Sequence, residues 1–239
     1  MSAIRWNHTN NAAGRIYEEL FRQILHGDLE GGALISESDV AKQMESSRTP
    51  VREALLMLEG EGLVRRYPGR GYLVAEITPQ DVDDIFELRT QLELLALRRA
   101  YGVLTPELLR DMEEQLERLN EGSSADDFYR ADRRLHELLA LYCGNSRLQA
   151  FLDTLDSQIE RVRYLSARRP ERLRESREEH LDIIHALMKQ DLPQAEVMLA
   201  RHIQNVSEST KTVCRQRLFC SPFPRLRGET AGGLTERDA

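Results

Sequence analysis

Cysteine is scarce in this chain, with three residues among 239. Cys143, Cys214 and Cys220 are odd in number and lack zinc-ligand spacing, which argues against a disulfide framework or a Cys-ligated metal and for reduced thiols that fill space. Long apolar runs are missing too. None approaches the roughly 20 residues that span a bilayer, and Met1 to Asn7 holds no hydrophobic stretch suited to secretion. The expectation is a cytoplasmic protein with no membrane partner. Net positive charge is also absent, since 33 basic side chains face 40 acidic ones for a formal charge of −7. Distribution matters more than the sum. Residues 1–75 carry 9 Lys/Arg and 10 Asp/Glu, whereas residues 76–239 carry 24 and 30, so most of the negative charge belongs to the second part.

What is present is a patterned front end. Ile16, Tyr17, Leu20, Ile24 and Leu25 recur at helical spacing between Gly14 and Gly27, which predicts a first helix ended by glycine. Ser36 with Asp39 has the form of a capping box opening a second helix with Val40, Ala41 and Met44 inward. A third helix is predicted from Thr49 or Pro50 to Glu59, with proline in the first turn, where its missing N–H has no intrahelical partner. Val51, Ala54, Leu55 and Leu58 then point inward and leave Arg48, Thr49 and Arg52 outside. Two β-like runs, 63–67 and 72–75, flank the turn Pro68-Gly69-Arg70-Gly71. Three helices followed by a hairpin make a winged helix-turn-helix. Between 48 and 70 the local charge turns positive through Arg48, Arg52, Arg65, Arg66 and Arg70. Such a patch can meet phosphates. On this reading Arg48 and Arg52 enter the major groove, Ser47 and Thr49 grip the backbone, and Gly69 and Arg70 reach phosphate or the minor groove from the wing. The same shape also serves as a protein-docking module, because fold alone does not fix function.

The strings Leu34 to Ala41, Ser47 to Leu55, Leu58 to Val64 and Gly69 to Tyr72 resemble the DNA-binding domain of GntR-family transcriptional regulators over residues 14 to 77. The resemblance implies operator contacts by Ser47, Arg48, Thr49 and Arg52, with Gly69 at the wing. One departure stands out. The turn before the recognition helix usually holds a glycine and an apolar residue, whereas this chain has Glu45 and Ser46, and a non-glycine at a tight turn costs about 1 kcal/mol.

From Thr78 onward every local signal is helical. Six helices are predicted, about 79–101, 105–119, 125–142, 146–167, 170–189 and 193–213, with breakers such as Gly102, Gly144-Asn145 and Pro170 between them. The expected organisation is an N-terminal extension over 1–13, the winged domain over 14–77, a helical effector-binding and dimerisation domain over 78–218, and a tail over 219–239 whose Gly, Pro and charge content predicts disorder. The fold class is mainly α, a winged helix-turn-helix followed by an antiparallel bundle.

Asp132 and His136 lie four apart on one predicted helix, and His180 and His202 sit midway along two later ones. One carboxylate and three imidazoles suit Zn, Ni, Mn or Fe in a bundle interior. Taken singly, each histidine has an ordinary role as a hydrogen-bonded side chain, and spacing does not show whether they converge. Asp132-x-x-x-His136, the Cys143 to Leu148 turn, Glu179-His180 with the following apolar positions, and Asp191 to His202 resemble the ligand-binding domain of the FadR branch of that family, called FCD, over roughly residues 79 to 213. The resemblance implies a divalent metal, Zn, Ni or Mn, held by Asp132, His136, His180 and His202, a small organic acid against it, and a homodimer. His185 matches no ligand position. Arg89 and Glu93 occupy places where that family commonly has Arg and Glu. Arg89 either grips an effector carboxylate or forms an i,i+4 ion pair on the helix surface.

The expected function is therefore a DNA-binding regulator, in the first instance a repressor and not an enzyme, whose affinity for double-stranded operator DNA responds to a carboxylate effector. A metal-only sensor and a metal-dependent hydrolase are the alternatives.

Overall fold

The computed structural model describes residues 11–120, 122–166 and 170–220. The tail from Ser221 and most of the N-terminal extension lie outside the described residues.

Helix α1, Ala12–His26, starts where the Asn11 side chain accepts the Gly14 N–H at 2.7 Å, and stops at Gly27, whose φ of 81° is left-handed. A two-residue strand β1, Leu34–Ile35, precedes α2, Glu37–Gln43, and α3, Arg48–Gly60, follows. Strands β2, Val64–Tyr67, and β3, Gly71–Val74, form the wing. Sequence periodicity missed β1, which pairs antiparallel with β3 and makes the sheet order β1-β3-β2. Gly71 explains the close approach. A Cβ there would sit 2.3 Å from the Ile35 carbonyl oxygen, and the φ of 120° favours glycine as well.

Ile16, Tyr17 and Leu20 of α1, Val51, Leu55 and Leu58 of α3, and Tyr72 and Val74 of β3 share one hydrophobic core. Leu55 and Leu58 are completely buried, each worth about 2 kcal/mol on transfer grounds. This core fixes the orientation of α3 by its inner face and leaves its outer face to solvent.

The second core is helical. Helices α4, Pro79–Ala100, α5, Pro106–Glu117, α6, Ala125–Tyr142, α7, Ser146–Ser166, α8, Pro170–Met188, and α9, Leu192–Cys220, fall within three residues of the expected bounds, except that α9 runs seven residues further. Full capping boxes start α4, from Thr78 and Asp81, and α6, from Ser124 and Asp127. Helix α4 packs on α6, α7 and α9, and α8 packs on α5, α6 and α9. Leu97, Leu135, Leu139, Ile183, Ile184 and Leu199 fill the centre. No helix among the described residues is long and apolar enough to cross a membrane.

Candidate nucleic-acid interface and candidate metal centre

The winged domain gathers Arg48, Arg52, Arg66 and Arg70 on one side, whereas Arg65 of the expected patch does not line that surface. Ser47 is the N-cap of α3, in extended conformation and with no side-chain capping bond, so its hydroxyl is open to another acceptor or donor. Ser47, Arg48, Thr49 and Arg52 are all exposed in the first turns of α3. Arg48, Arg52, Arg66, Gly69 and Arg70 line one concave surface between α3 and the wing. Ser47 and Thr49, though exposed, do not line it. Arg52 donates from Nε and NH2 to the two carboxylate oxygens of Glu37 at 3.2 and 3.0 Å. That hydrogen bond first, and the charge of Glu37 second, raise the Arg52 pKa above its ordinary value. The pair also holds the guanidinium at a fixed place over the surface. Arg66 was counted in the basic patch without a role. Its NH2 donates to the Tyr72 hydroxyl at 3.3 Å and its backbone N–H to Glu59 at 3.1 Å, which places it beside Arg52 and Arg70. The turn ahead of α3 bears out the physical worry about Glu45, whose φ of 48° lies in the left-handed region.

Inside the bundle, α6 supplies Asp132 and His136, α8 supplies His180 and α9 supplies His202. Their ligand atoms all lie within 4.8 Å of one another. His180 and His202 are fully buried and His136 nearly so. Nε2 of His202 is 3.1 Å from Nε2 of His180 and 3.3 Å from Nε2 of His136. Oδ1 of Asp132 is 3.6 Å from His180 Nε2 and 4.0 Å from His202 Nε2.

Carboxylates stand behind two of the imidazoles. Glu93 contacts His136 Nδ1 and Glu179 contacts His202 Nδ1, the latter at 2.7 Å. A carboxylate on Nδ1 fixes the proton there and leaves Nε2 a bare acceptor. Two such acceptors facing each other at 3.3 Å repel, and a cation between them removes the repulsion. Ligands about 2.0–2.1 Å from a tetrahedral cation are roughly 3.3 Å apart, so the donor set fits a metal in both chemistry and spacing. Ser176 donates to Asp132 Oδ1 at 2.6 Å and orients that carboxylate.

Glu179 is itself anchored. Arg172 donates to both its oxygens and Asn205 donates to Oε1 at 2.6 Å. Burial pushes the Glu179 carboxyl up, but the hydrogen bonds from His202 and Arg172 outweigh it and hold the pKa at about 2. Sequence reasoning gave neither Glu179 nor Arg172 a place at the centre. The Glu-His dipeptide at 179–180 was the available signal, and only the packing of α8 on α9 turns Glu179 toward His202.

Arg89 is fully buried, so the surface ion-pair alternative does not hold. Its Nε donates to Glu93 at 2.7 Å, and its NH2 lies 3.0 Å from Nε2 and 3.3 Å from Nδ1 of His136, too evenly placed for an in-plane bond to either nitrogen. Among the described residues, one cavity reaches the centre, at Asp132 and His180, and Arg89 does not line it. That cavity has about 30 Å³ of free volume and is lined by Tyr129, Asp132, Arg172, Ser176, Arg177 and His180 with apolar neighbours. Its two arginines were not singled out in the sequence. His185 lies elsewhere, 2.6 Å from Glu113.

A family model described as "Bacterial regulatory proteins, gntR family" matches residues 12–74, and one described as "FCD domain" matches residues 84–205. The chain is a member of the GntR family with an FCD domain. It is 32% identical over 213 residues to the HTH-type transcriptional repressor RspR of Escherichia coli, covering 87% of this chain and 92% of the relative. It is 28% identical over 183 residues to the gluconate operon transcriptional repressor of Bacillus subtilis, covering 75% of this chain and 74% of the relative. Among solved structures, E. coli McbR/YncC superposes with a TM-score of 0.70 at 24% identity over 87% of this chain and 99% of that one, which supports the fold. Relatives of this GntR/FCD chain are thus transcription regulators, and they include repressors.

Proposed function

We propose that this chain is a homodimeric repressor acting in the cytoplasm, whose hold on a short pseudo-palindromic operator is set by a small carboxylate bound at a divalent metal. The division of labour follows the two cores, with DNA reading in residues 14–77 and sensing and dimerisation in 78–218. Arg48 and Arg52 read base edges or phosphates, Ser47 and Thr49 the adjacent backbone, and Gly69 and Arg70 the groove beside the wing. Asp132, His136, His180 and His202 hold the cation, with Zn, Ni or Mn suited to this donor set. The bound ion supplies an electrophilic site for a carboxylate oxygen.

One observation carries the metal reading, namely that the Nε2 atoms of His136 and His202 face each other as acceptors at 3.3 Å with carboxylates on their opposite nitrogens. The acid reading rests on Arg172 and Arg177 in the wall of the adjoining cavity. Arg89, which does not line that cavity, takes part by setting the tilt of His136 and by offering a guanidinium to an anion that displaces Glu93. The dimer reading rests on the outer face of α4 and α7, which leaves Leu88, Leu95 and Phe151 exposed, at 54, 41 and 64%.

A metal-only sensor is the second reading, favoured by the small cavity, since about 30 Å³ is on the order of one or two waters. Purified protein stripped with a chelator, then titrated with Zn2+, Ni2+ or Mn2+ with and without a panel of carboxylic acids, decides between them when binding to a selected duplex is followed by anisotropy. Response to an acid only in the presence of metal supports the proposal. Response to metal alone supports the sensor, and turnover of the acid supports a hydrolase.

A further inference from the structure

Helix α7 touches the winged domain at three separate points. Gln158 Nε2 donates to the carbonyl of Glu61 at 3.0 Å, immediately after the recognition helix ends. Arg161 NH2 donates to the carbonyl of Ala75 at 2.6 Å, immediately after the wing strand β3 ends. The Tyr164 hydroxyl is hydrogen-bonded to His26 Nδ1 at 2.8 Å, at the last residue of α1. One helix therefore holds the ends of all three elements that orient the DNA-reading surface. The spacing 158, 161, 164 is that of a single helical stripe.

The neighbouring side of α7 faces the ligand helix α6. Arg133, next to Asp132, donates to buried Glu160 at 2.8 Å. Tyr129, which lies one turn before Asp132 and lines the cavity, meets Tyr164 edge to face with ring centroids 6.2 Å apart. Tyr164 is thus in contact with both the cavity wall and the winged domain. The cavity is too small for an organic acid unless its wall moves, and Tyr129 is part of that wall.

From this arrangement we infer that Tyr164 is the positioning residue that passes the state of the cavity to the recognition helix, by way of Tyr129 on one side and His26 on the other. The inference deepens the regulatory reading above and rests on it for the identity of the stimulus. Entry of a ligand displaces the Tyr129 ring, the edge contact shifts Tyr164, and α7 carries the winged domain with it because Gln158 and Arg161 hold backbone carbonyls that have no freedom to lag. A packed interface of this kind has discrete arrangements, and does not deform smoothly.

The test uses the full chain and hydrogen–deuterium exchange read by mass spectrometry over residues 20–27 and 57–63. Tyr129→Ala, without metal, is expected to change exchange in both segments by about threefold or more, as for coupled neighbours. Tyr164→Leu keeps bulk but has neither the ring nor the hydroxyl, and in that background the Tyr129→Ala change is expected to vanish. Zn2+ added to the wild type is expected to alter the same segments. Added to Tyr164→Leu it should alter only α6, α8 and α9, with an unchanged zinc stoichiometry. Retention of the winged-domain response in Tyr164→Leu, or no response to Tyr129→Ala, overturns the relay. A wild type that binds no zinc overturns the metal reading alone, because the Tyr129→Ala comparison needs no metal and still decides the relay.

Discussion

Glu179 accepts the Nδ1 proton of His202 at 2.7 Å, so His202 offers only its Nε2 atom to the cluster on α6 and α8. Carboxylates in this position raise the basicity of a ligating imidazole and fix its ring. Their loss commonly costs 10–100-fold in metal affinity. Glu179→Gln is therefore expected to weaken Zn2+ binding by roughly that factor with little change in secondary structure, as read by competition with a chromogenic chelator. Unchanged affinity would remove Glu179 from the site. The same pair sets an acid limit. The carboxyl's pKa falls from 4.5 to about 2 on folding, so its contribution to stability is complete above about 4.5 and is lost as pH falls toward 2. In chelator, wild-type protein should lose more stability than Glu179→Gln across that window and the two should run parallel above it.

Removing Arg48 and removing Arg70 should give different signatures. Arg48→Ala is expected to cost about 1–3 kcal/mol on the selected operator and to relax base preference at the contacted position. Arg70→Ala is expected to weaken all duplexes alike and to lower the salt slope by about one. Equal losses on specific and random DNA for both variants would show that neither reads sequence.

Glu45 occupies left-handed backbone with φ 48° and an exposed side chain. Glu45→Gly should raise the stability of the winged domain by about 0.5–1 kcal/mol, since glycine adopts this conformation without a Cβ penalty. A thermal melt showing no gain or a loss would mean that the glutamate makes a compensating contact.

Arg89 and Glu93 form a buried pair with side-chain exposures of 0 and 4%. Arg89→Ala removes the cation beside the buried Glu93 carboxylate, which His136 Nδ1 still contacts, and the expected cost is about 3–5 kcal/mol. The double variant Arg89→Met, Glu93→Gln should recover much of it. Recovery in denaturant titration would assign Arg89 first to holding His136, and only then to any anion.

Leu88→Glu with Phe151→Glu places charge on the exposed face of α4 and α7. Light scattering is expected to show monomer, with operator affinity reduced at least tenfold because two half-sites are no longer bound together. A dimer that survives both changes uses another face.

The winged domain was legible because its signals are local. Proline at the start of α3, glycine after α1 and the apolar spacing of Val51, Leu55 and Leu58 each constrain one element without reference to another. The helical bundle was legible to within a turn for the same reason, apart from the last seven residues of α9. Strand β1 was not, because Leu34 and Ile35 are strand only by pairing with Leu73 and Tyr72. The histidine set could be proposed from motif, yet its convergence depends on how α6, α8 and α9 pack. Arg89 read on the sequence either as a grip on an effector carboxylate or as half of a surface ion pair with Glu93, and the burial of that face is a tertiary fact. The contacts of Gln158, Arg161 and Tyr164 had no local signal at all, since two of them reach backbone carbonyls some 90 residues away in sequence.

The junction of Gly71 with Ile35 has a consequence for the operator. Ser36, which follows Ile35, opens α2, so wing strand β3 is fastened through β1 to the scaffold on which α3 is mounted. The hairpin and the recognition helix therefore cannot pivot independently. One base pair inserted between the segment under Arg48 and the segment under Arg70 would rotate the latter by roughly 35° about the duplex axis, and the domain has no joint with which to follow it. On the dimer reading proposed above, tolerance to spacing comes from between the two protomers, where half-sites can drift apart, and not from within a half-site.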